Sequence, residues 1–115
     1  MAGNLVYLKK NASDNFDSLI KEFNIHLYGT DRGRSARSYC SDVKKFAEWM
    51  EARGGSALSA APLDIVEYRQ HLQAQGRKPS TVNRKLVSLR IFYSWLEERK
   101  LIPDNPAGNV KPVAD

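Results

Sequence analysis

Cysteine and histidine are scarce in this chain of 115 residues, which contains one cysteine, Cys40, and two histidines, His26 and His71. A single thiol excludes an internal disulfide framework and any zinc site built from several thiolates of one chain. The histidines lie in different predicted helices, with no cysteine or carboxylate at the spacing of metal ligands. We therefore expect neither a metal site nor a cofactor.

Long apolar runs are missing too. No segment approaches the ~20 apolar residues that a membrane-spanning helix needs, and residues 1–10 lack the apolar block of a secretory signal. These absences predict a cytoplasmic protein without a membrane partner.

Signatures of catalysis and of β structure are also lacking. The sequence has no nucleophile elbow and no Gly-rich phosphate loop, because Gly54-Gly55 follows a predicted helix, where a C-terminal cap explains it. Apolar and polar residues do not alternate over the length of a strand. We expect an all-α chain with no catalytic residue of its own.

Helical periodicity is what the sequence does have. Apolar residues recur every three or four positions in four segments, which predict helices over residues 13–28, 35–53 and 62–76, and a fourth helix that follows Pro79 and reaches about Leu96. Ser13 and Ser35 are the expected caps of the first two helices, and Ser80 or Thr81 that of the fourth. The fourth helix is apolar on both sides past its second turn, so we expect it to be central, with only its N-terminal turns exposed.

The length and the prolines set the domain organisation. A chain of this size builds one core without disulfides or metals. Pro103 and Pro106 end helical structure, so the segment that contains them is a linker or a docking arm. We predict a compact bundle of four to five helices over residues 13–102, a flexible N-terminus over 1–12, and an extended tail over 103–115.

Basic residues outnumber acidic ones by 18 to 13, giving a net charge of +5, and they cluster in two ridges. The first ridge leads into and follows the polar side of the second helix: Arg32, Arg34, Arg37, Ser38, Ser41, Lys44 and Lys45. The second ridge leads into and covers the first turns of the fourth helix: Arg77, Lys78, Ser80, Thr81, Asn83, Arg84, Lys85 and Ser88.

The ridges have the chemistry of a DNA-binding surface. Helix N-termini favour phosphate, and Arg, Lys, Asn and Ser on an exposed helix are the side chains that read base edges in a major groove. The alternative is that the ridges are solvated faces whose charges pair locally with acids such as Asp42, Glu48 and Glu51. The residues that we predict to contact DNA are Arg34, Arg37, Ser41, Lys44, Lys45, Thr81, Asn83, Arg84, Lys85 and Ser88.

Three segments carry a family resemblance: residues 35–46 (SARSYCSDVKKF), residues 79–96 (PSTVNRKLVSLRIFYSWL) and Asn105-Pro106-Ala107. Over residues 34–112 the chain resembles the N-terminal core-binding, SAM-like domain of the tyrosine recombinase or phage integrase family. The resemblance implies that the second and fourth helices lie across the major groove of a recombination site. It implies as partners double-stranded DNA, neighbouring recombinase protomers on that DNA, and a catalytic domain of the same polypeptide.

In this family the tyrosine nucleophile belongs to a separate C-terminal domain, which we expect to begin where this chain stops. Tyr39, Tyr68 and Tyr93 lie on apolar stripes, so we predict core aromatics rather than nucleophiles. The predicted function is therefore that of a DNA-binding domain for DNA integration or recombination. The alternatives are a protein-interaction module, suggested by Ile25 on the polar side of the first helix, and a non-enzymatic DNA-binding adaptor.

Overall fold

The computed structural model describes residues 12–114, with side chains of the first helix from Asn15 onward. The predicted flexible segment 1–12 thus lies almost wholly outside the described residues, as does the capping side chain of Ser13. The described part contains four α-helices and no strand. They are α1 (Ala12–Tyr28), α2 (Ala36–Ala52), α3 (Pro62–Ala74) and α4 (Pro79–Glu98), with 3₁₀ turns at Gly33–Ser35 and Ala57–Ser59. The predicted all-α class is confirmed.

The chain divides into two compact units at Ala36. In the first unit, α1 buries Ile20, Phe23 and Leu27, the stripe that the helical period predicts. Its last carbonyls are satisfied by the following turn, where the amide of Gly29 donates to His26 at 3.1 Å. Ile25 remains 70% exposed, as its place on the polar side predicts.

Glycines end α2 and α3 in the second unit. Gly54, with a φ of 82°, and Gly76, with a φ of 79°, take the left-handed conformation that a helix C-terminus requires and that glycine adopts without a Cβ clash. After Gly54, the amide of Gly55 donates to the carbonyl of Met50 at 2.8 Å. Both predicted stops are confirmed, although α3 itself ends at Ala74 and its last two predicted residues form the cap.

The start of α4 differs from the prediction. Neither Ser80 nor Thr81 caps the helix, because Pro79 takes the first helical position and Lys78 stands at the N-cap without a side-chain hydrogen bond. Proline suits that position, since its φ is already helical and its missing N–H would find no partner in the first turn.

The centre of the second unit is α4, as predicted. It buries nine of its side chains, beginning at Val82 and continuing to Leu96. Phe46 of α2 packs edge-on against Tyr68 of α3, with ring centroids 5.0 Å apart, and against Tyr93 of α4 at 6.4 Å. The exposed part of α4 is shorter than predicted, because burial already starts in its first turn.

The tail after α4 packs on that helix. Pro106, Ala107 and Val110 are buried, and the Asn105 side chain donates to the carbonyl of Arg90 at 3.0 Å. Arg90 in turn donates to the carbonyls of Ala107 and Val110, each at 3.4 Å. Residues 105–113 therefore lie against α4 and are bonded to it.

Candidate nucleic-acid interface

The first ridge is an exposed row of cations on α2. Arg37, Lys44 and Lys45 are exposed and Ser41 is half-buried, and their spacing puts all four on one side of the helix. None of the ion pairs found among residues 15–114 involves these three cations. Acids of the same helix therefore do not neutralise these three cations by forming ion pairs with them.

Arg34 does not belong to this row in the structure. It is exposed, but it lies in the 3₁₀ turn Gly33–Ser35, which belongs to the first compact unit. The row on α2 therefore begins at Arg37.

The second ridge is mostly engaged within the protein. The buried carboxylate of Asp42 on α2 accepts from Ser88 Oγ at 2.6 Å and from Lys85 Nζ at 3.2 Å. It also accepts from both terminal nitrogens of Arg84, Nη1 at 2.8 Å and Nη2 at 3.3 Å. Three polar side chains of α4 thus meet at one carboxylate of α2.

Burial decides which members of this cluster can meet a ligand. The side chains of Asp42 and Lys85 are only 3% and 4% exposed, whereas that of Arg84 is 48% exposed, and Ser88 is fully buried. The prediction that Lys85 and Ser88 line an exposed face of α4 is therefore wrong. Because α4 is central, α2 covers the side of the helix on which these two residues lie.

Asp42 is one of the acids named above as possible local partners of the ridges, and it pairs with Arg84 and Lys85 of α4. Sequence reasoning missed that Asp42 joins α2 to α4. It lies on the apolar side of α2, beside Val43 and one turn before Phe46, both of them buried. A carboxylate in such a position needs a cation and hydrogen-bond donors from elsewhere in the fold. The sequence could reveal that need, but not which of the 18 basic residues would meet it.

Asn83 is also engaged within the protein. Its side-chain amide donates to the carbonyl of Val113 at 2.9 Å, and its amide oxygen accepts from the Val113 N–H at 2.7 Å. This pair of bonds fixes the end of the tail against the first turns of α4. Thr81, two residues earlier, is half-buried.

A cationic surface remains at the N-terminus of α4. Arg77, Lys78 and Ser80 are exposed, and the side chain of Arg84 is 48% exposed. The first backbone N–H groups of the helix have no partner within it, so they add partial positive charge to the same end. The described residues therefore offer two exposed basic surfaces, the row on α2 and the start of α4.

Comparison with known proteins decides the family. Residues 20–100 match the family described as phage integrase, N-terminal SAM-like domain. The chain belongs to this family.

Curated relatives of this SAM-like domain are named as recombinases. The tyrosine recombinase XerD of Rhizobium meliloti is 32% identical over 87 residues, which cover 73% of this chain and 28% of the relative. XerD of Agrobacterium fabrum is 33% identical over 87 residues, covering 73% and 26%. XerC of Chromobacterium violaceum is 30% identical over 95 residues, covering 82% and 31%. The chain spans less than a third of the length of these relatives, and no solved structure matches it significantly.

The buried tyrosines of the SAM-like domain are core residues, as predicted. Burial, together with the nearby negative charge of Asp42, raises the pKa of Tyr68 to about 12. The hydroxyl of Tyr93 donates to the carbonyl of Ala57 at 2.6 Å, and burial also raises its pKa far above the usual value. A buried phenol that keeps its proton is a poor nucleophile, so neither residue is suited to attack a phosphodiester. Tyr39 differs from the prediction of a core aromatic, because it is only half-buried.

Two further features bear on other kinds of site. Among the described residues, no three His, Cys, Asp or Glu side chains come together as a metal site requires, and His71 stacks on Tyr68 with ring centroids 6.2 Å apart. Within residues 12–114, no helix has both the length and the apolar character to cross a bilayer.

Proposed function

We propose that this SAM-like domain is the DNA-binding part of a site-specific tyrosine recombinase and that it holds the recombination-site duplex through exposed faces of α2 and α4. The observation that carries the proposal is the row of exposed cations on α2 that form no ion pair, in a chain whose curated relatives are named as tyrosine recombinases. DNA integration or recombination in the cytoplasm is the process that such a domain would serve.

The dimensions of the row suit a DNA groove. Arg37 and Lys44 are about two turns apart on α2, which is about 10 Å at a rise of 1.5 Å per residue. The major groove is about 12 Å wide and accepts a helix. Cations at that separation can reach phosphates on both edges of the groove, which fixes the position of the helix on the duplex.

The predicted DNA contacts divide into two groups according to their exposure. We propose direct contact with the duplex for Arg34, Arg37, Ser41, Lys44, Lys45, Thr81 and Arg84. Asn83, Lys85 and Ser88 support the site from within, since their side chains bond to Val113 and Asp42. In this proposal, phosphodiester chemistry belongs to a catalytic domain of the same polypeptide. The SAM-like domain itself supplies no catalytic residue.

The test is binding to a fluorescently labelled duplex of arbitrary sequence, measured by anisotropy. If about five phosphates are contacted, log K falls with log salt at a slope of about −4.5, with affinities near the micromolar range of non-specific complexes. Lys44→Glu combined with Lys45→Glu should weaken binding at least tenfold while leaving the circular dichroism spectrum unchanged, because surface substitutions cost little stability.

The matched control is the double reversal Lys21→Glu and Lys100→Glu. Both residues are exposed and lie outside the ridges. Lys100 is preferable to its neighbour Arg99, whose guanidinium lies 4.9 Å from the ring centre of Trp95. Equal loss of binding in the two double variants would replace the proposal with a general charge effect.

A second candidate function is protein docking on α1, which the exposure of two large apolar residues favours. Ile25 is 70% and Tyr28 is 66% exposed. In a recombinase, neighbouring protomers on DNA are the partners that would cover them. We expect the free domain to be a monomer by light scattering at micromolar concentration, because such a small apolar patch does not hold a stable dimer. A stable dimer without DNA, lost on Ile25→Asp, would favour the interaction module over the DNA-binding domain.

A further inference from the structure

Asp42 connects a buried ion pair to an exposed cation. Its carboxylate accepts from Lys85 and Ser88, both buried, and from Arg84, which is about half exposed. Two of its partners therefore belong to the interior of the domain. The third stands at the exposed start of α4, where we propose that DNA binds.

The charges of this cluster do not cancel. Asp42 and Lys85 neutralise each other inside the domain, at 3.2 Å between Oδ1 and Nζ. Arg84 adds a second positive charge, and among the described residues no other acid forms an ion pair with it. The ion pair with Lys85 already compensates the buried negative charge of Asp42. The contact between Asp42 and Arg84 therefore acts mainly on the orientation of the Arg84 side chain.

That orientation is fixed at two points. Nη1 of Arg84 donates to Oδ2 of Asp42 and Nη2 donates to Oδ1, so the planar guanidinium cannot turn about its long axis. An arginine has five N–H donors. After these two bonds, the Nε–H and one N–H on each terminal nitrogen remain for a ligand.

We propose that Asp42 is a positioning residue, which holds the guanidinium of Arg84 in a fixed orientation before DNA arrives. Arg84 then makes a directed contact with the duplex, whereas Arg37, Lys44 and Lys45 supply charge without a fixed direction. A side chain that is already ordered loses less conformational freedom on binding, which favours affinity and fixes geometry. This inference rests on the proposed DNA-binding function.

Substitution of arginine by lysine separates the contribution of a fixed guanidinium orientation to DNA binding from the contribution of positive charge. Arg84→Lys keeps the charge but cannot form the two-point contact with Asp42. We expect it to weaken duplex binding about as much as Arg84→Ala does, roughly tenfold, the low end for a bidentate contact. The matched pair is Arg37→Lys and Arg37→Ala on α2, where lysine should restore binding to within about twofold of the original. Full affinity of Arg84→Lys would overturn the inference.

A second variant removes the positioning group without leaving a buried charge. Asp42→Leu together with Lys85→Met replaces both members of the buried ion pair by apolar residues, a change that is often neutral for stability. Arg84 is untouched, yet we expect the double variant to bind DNA about as weakly as Arg84→Ala. Adding Arg84→Ala should then cause no further loss, since the two changes remove the same contact. Unchanged affinity in the folded double variant would show that Asp42 does not position Arg84.

Guanidinium NMR of the unmodified domain tests the same point without relying on any variant. We expect separate, slowly exchanging Nη–H signals for Arg84 in the absence of DNA, and averaged signals for Arg37. Averaged signals for Arg84 would contradict the inference.

The proposed function fails by a different result, namely no binding of the unmodified domain to duplex, so the two failures are distinguishable. Loss of binding in the Lys44 and Lys45 reversal with full binding in Arg84→Lys would sustain the function and reject the positioning role.

Discussion

The two basic ridges are alike in composition and different in structure. On α2, Arg37, Lys44 and Lys45 are exposed and take part in none of the ion pairs found among residues 15–114. On α4, Lys85 is buried and Arg84 is bonded at two points, both through Asp42. One ridge is a row of exposed cations without ion pairs, and the other is largely an internal polar network with an exposed edge.

The difference follows from the place of each helix in the second unit. α2 has one buried side, so residues on its opposite side stay in solvent. α4 is buried on most of its sides, so polar residues there need partners inside the protein. Basic residues opposite an apolar stripe therefore predict an exposed row of charges for a peripheral helix, and a hydrogen-bonded network for a central one.

The largest effect that we expect is the loss of stability on Asp42→Ala. The substitution leaves the ammonium group of Lys85 buried without its carboxylate, which costs about 3–5 kcal/mol in comparable buried pairs. The control is Glu48→Ala, an exposed acid on the same helix, which should change the free energy of unfolding by less than about 0.5 kcal/mol. Urea denaturation followed by circular dichroism measures both. If both variants lost a similar, small amount of unfolding free energy, the ion pair between Asp42 and Lys85 would not be buried.

A smaller effect is expected at the tail. Asn83→Ala removes two hydrogen bonds to Val113, each contributing about 0.5–1.5 kcal/mol. The Val113 amide should then exchange its proton at least tenfold faster in hydrogen-exchange NMR. Ser80→Ala, which changes a hydroxyl in the same turn, should leave that rate unchanged. A Val113 amide that is unprotected before the substitution would show that the tail is not docked in solution.

The smallest effect on stability, and the sharpest contrast between the ridges, comes from one chemical change made in both. Lys45→Met should alter the free energy of unfolding by less than about 0.5 kcal/mol and reduce the salt slope of duplex binding by about 0.9. Lys85→Met should do the reverse, lowering stability because Asp42 loses its buried partner while the salt slope stays the same. If instead Lys45→Met lowered the stability and Lys85→Met reduced the salt slope, the exposed ridge would be the one on α4 and the internal network the one on α2.

Local sequence patterns predicted the helices and their ends well. The apolar stripes of α1 and α2, the stops at Gly54 and Gly76, and the central place of α4 all follow from spacing and from glycine geometry, which act within a few residues. Predicted and observed α-helical residues differ mainly at caps, as when Pro79 rather than Ser80 or Thr81 opens α4.

The candidate site was predicted less completely, because its internal contacts join distant parts of the chain. Lys85 and Ser88 are bonded to a residue more than 40 positions away, and Asn83 to one 30 positions away. Helical periodicity shows which residues share a side of α4. It does not show which side α2 and the tail will cover, since that depends on how the elements pack.

We propose that the domain binds duplex DNA through the exposed row on α2 and the exposed edge of α4. The most direct measurement is an NMR titration of the isotopically labelled domain with an unlabelled duplex. We expect the largest shift changes at Arg37, Lys44, Lys45 and Arg84, and almost no change at Lys21 and Lys100. Shift changes of equal size at Lys21 and Lys100, or none at the α2 row under conditions where DNA is bound, would contradict it.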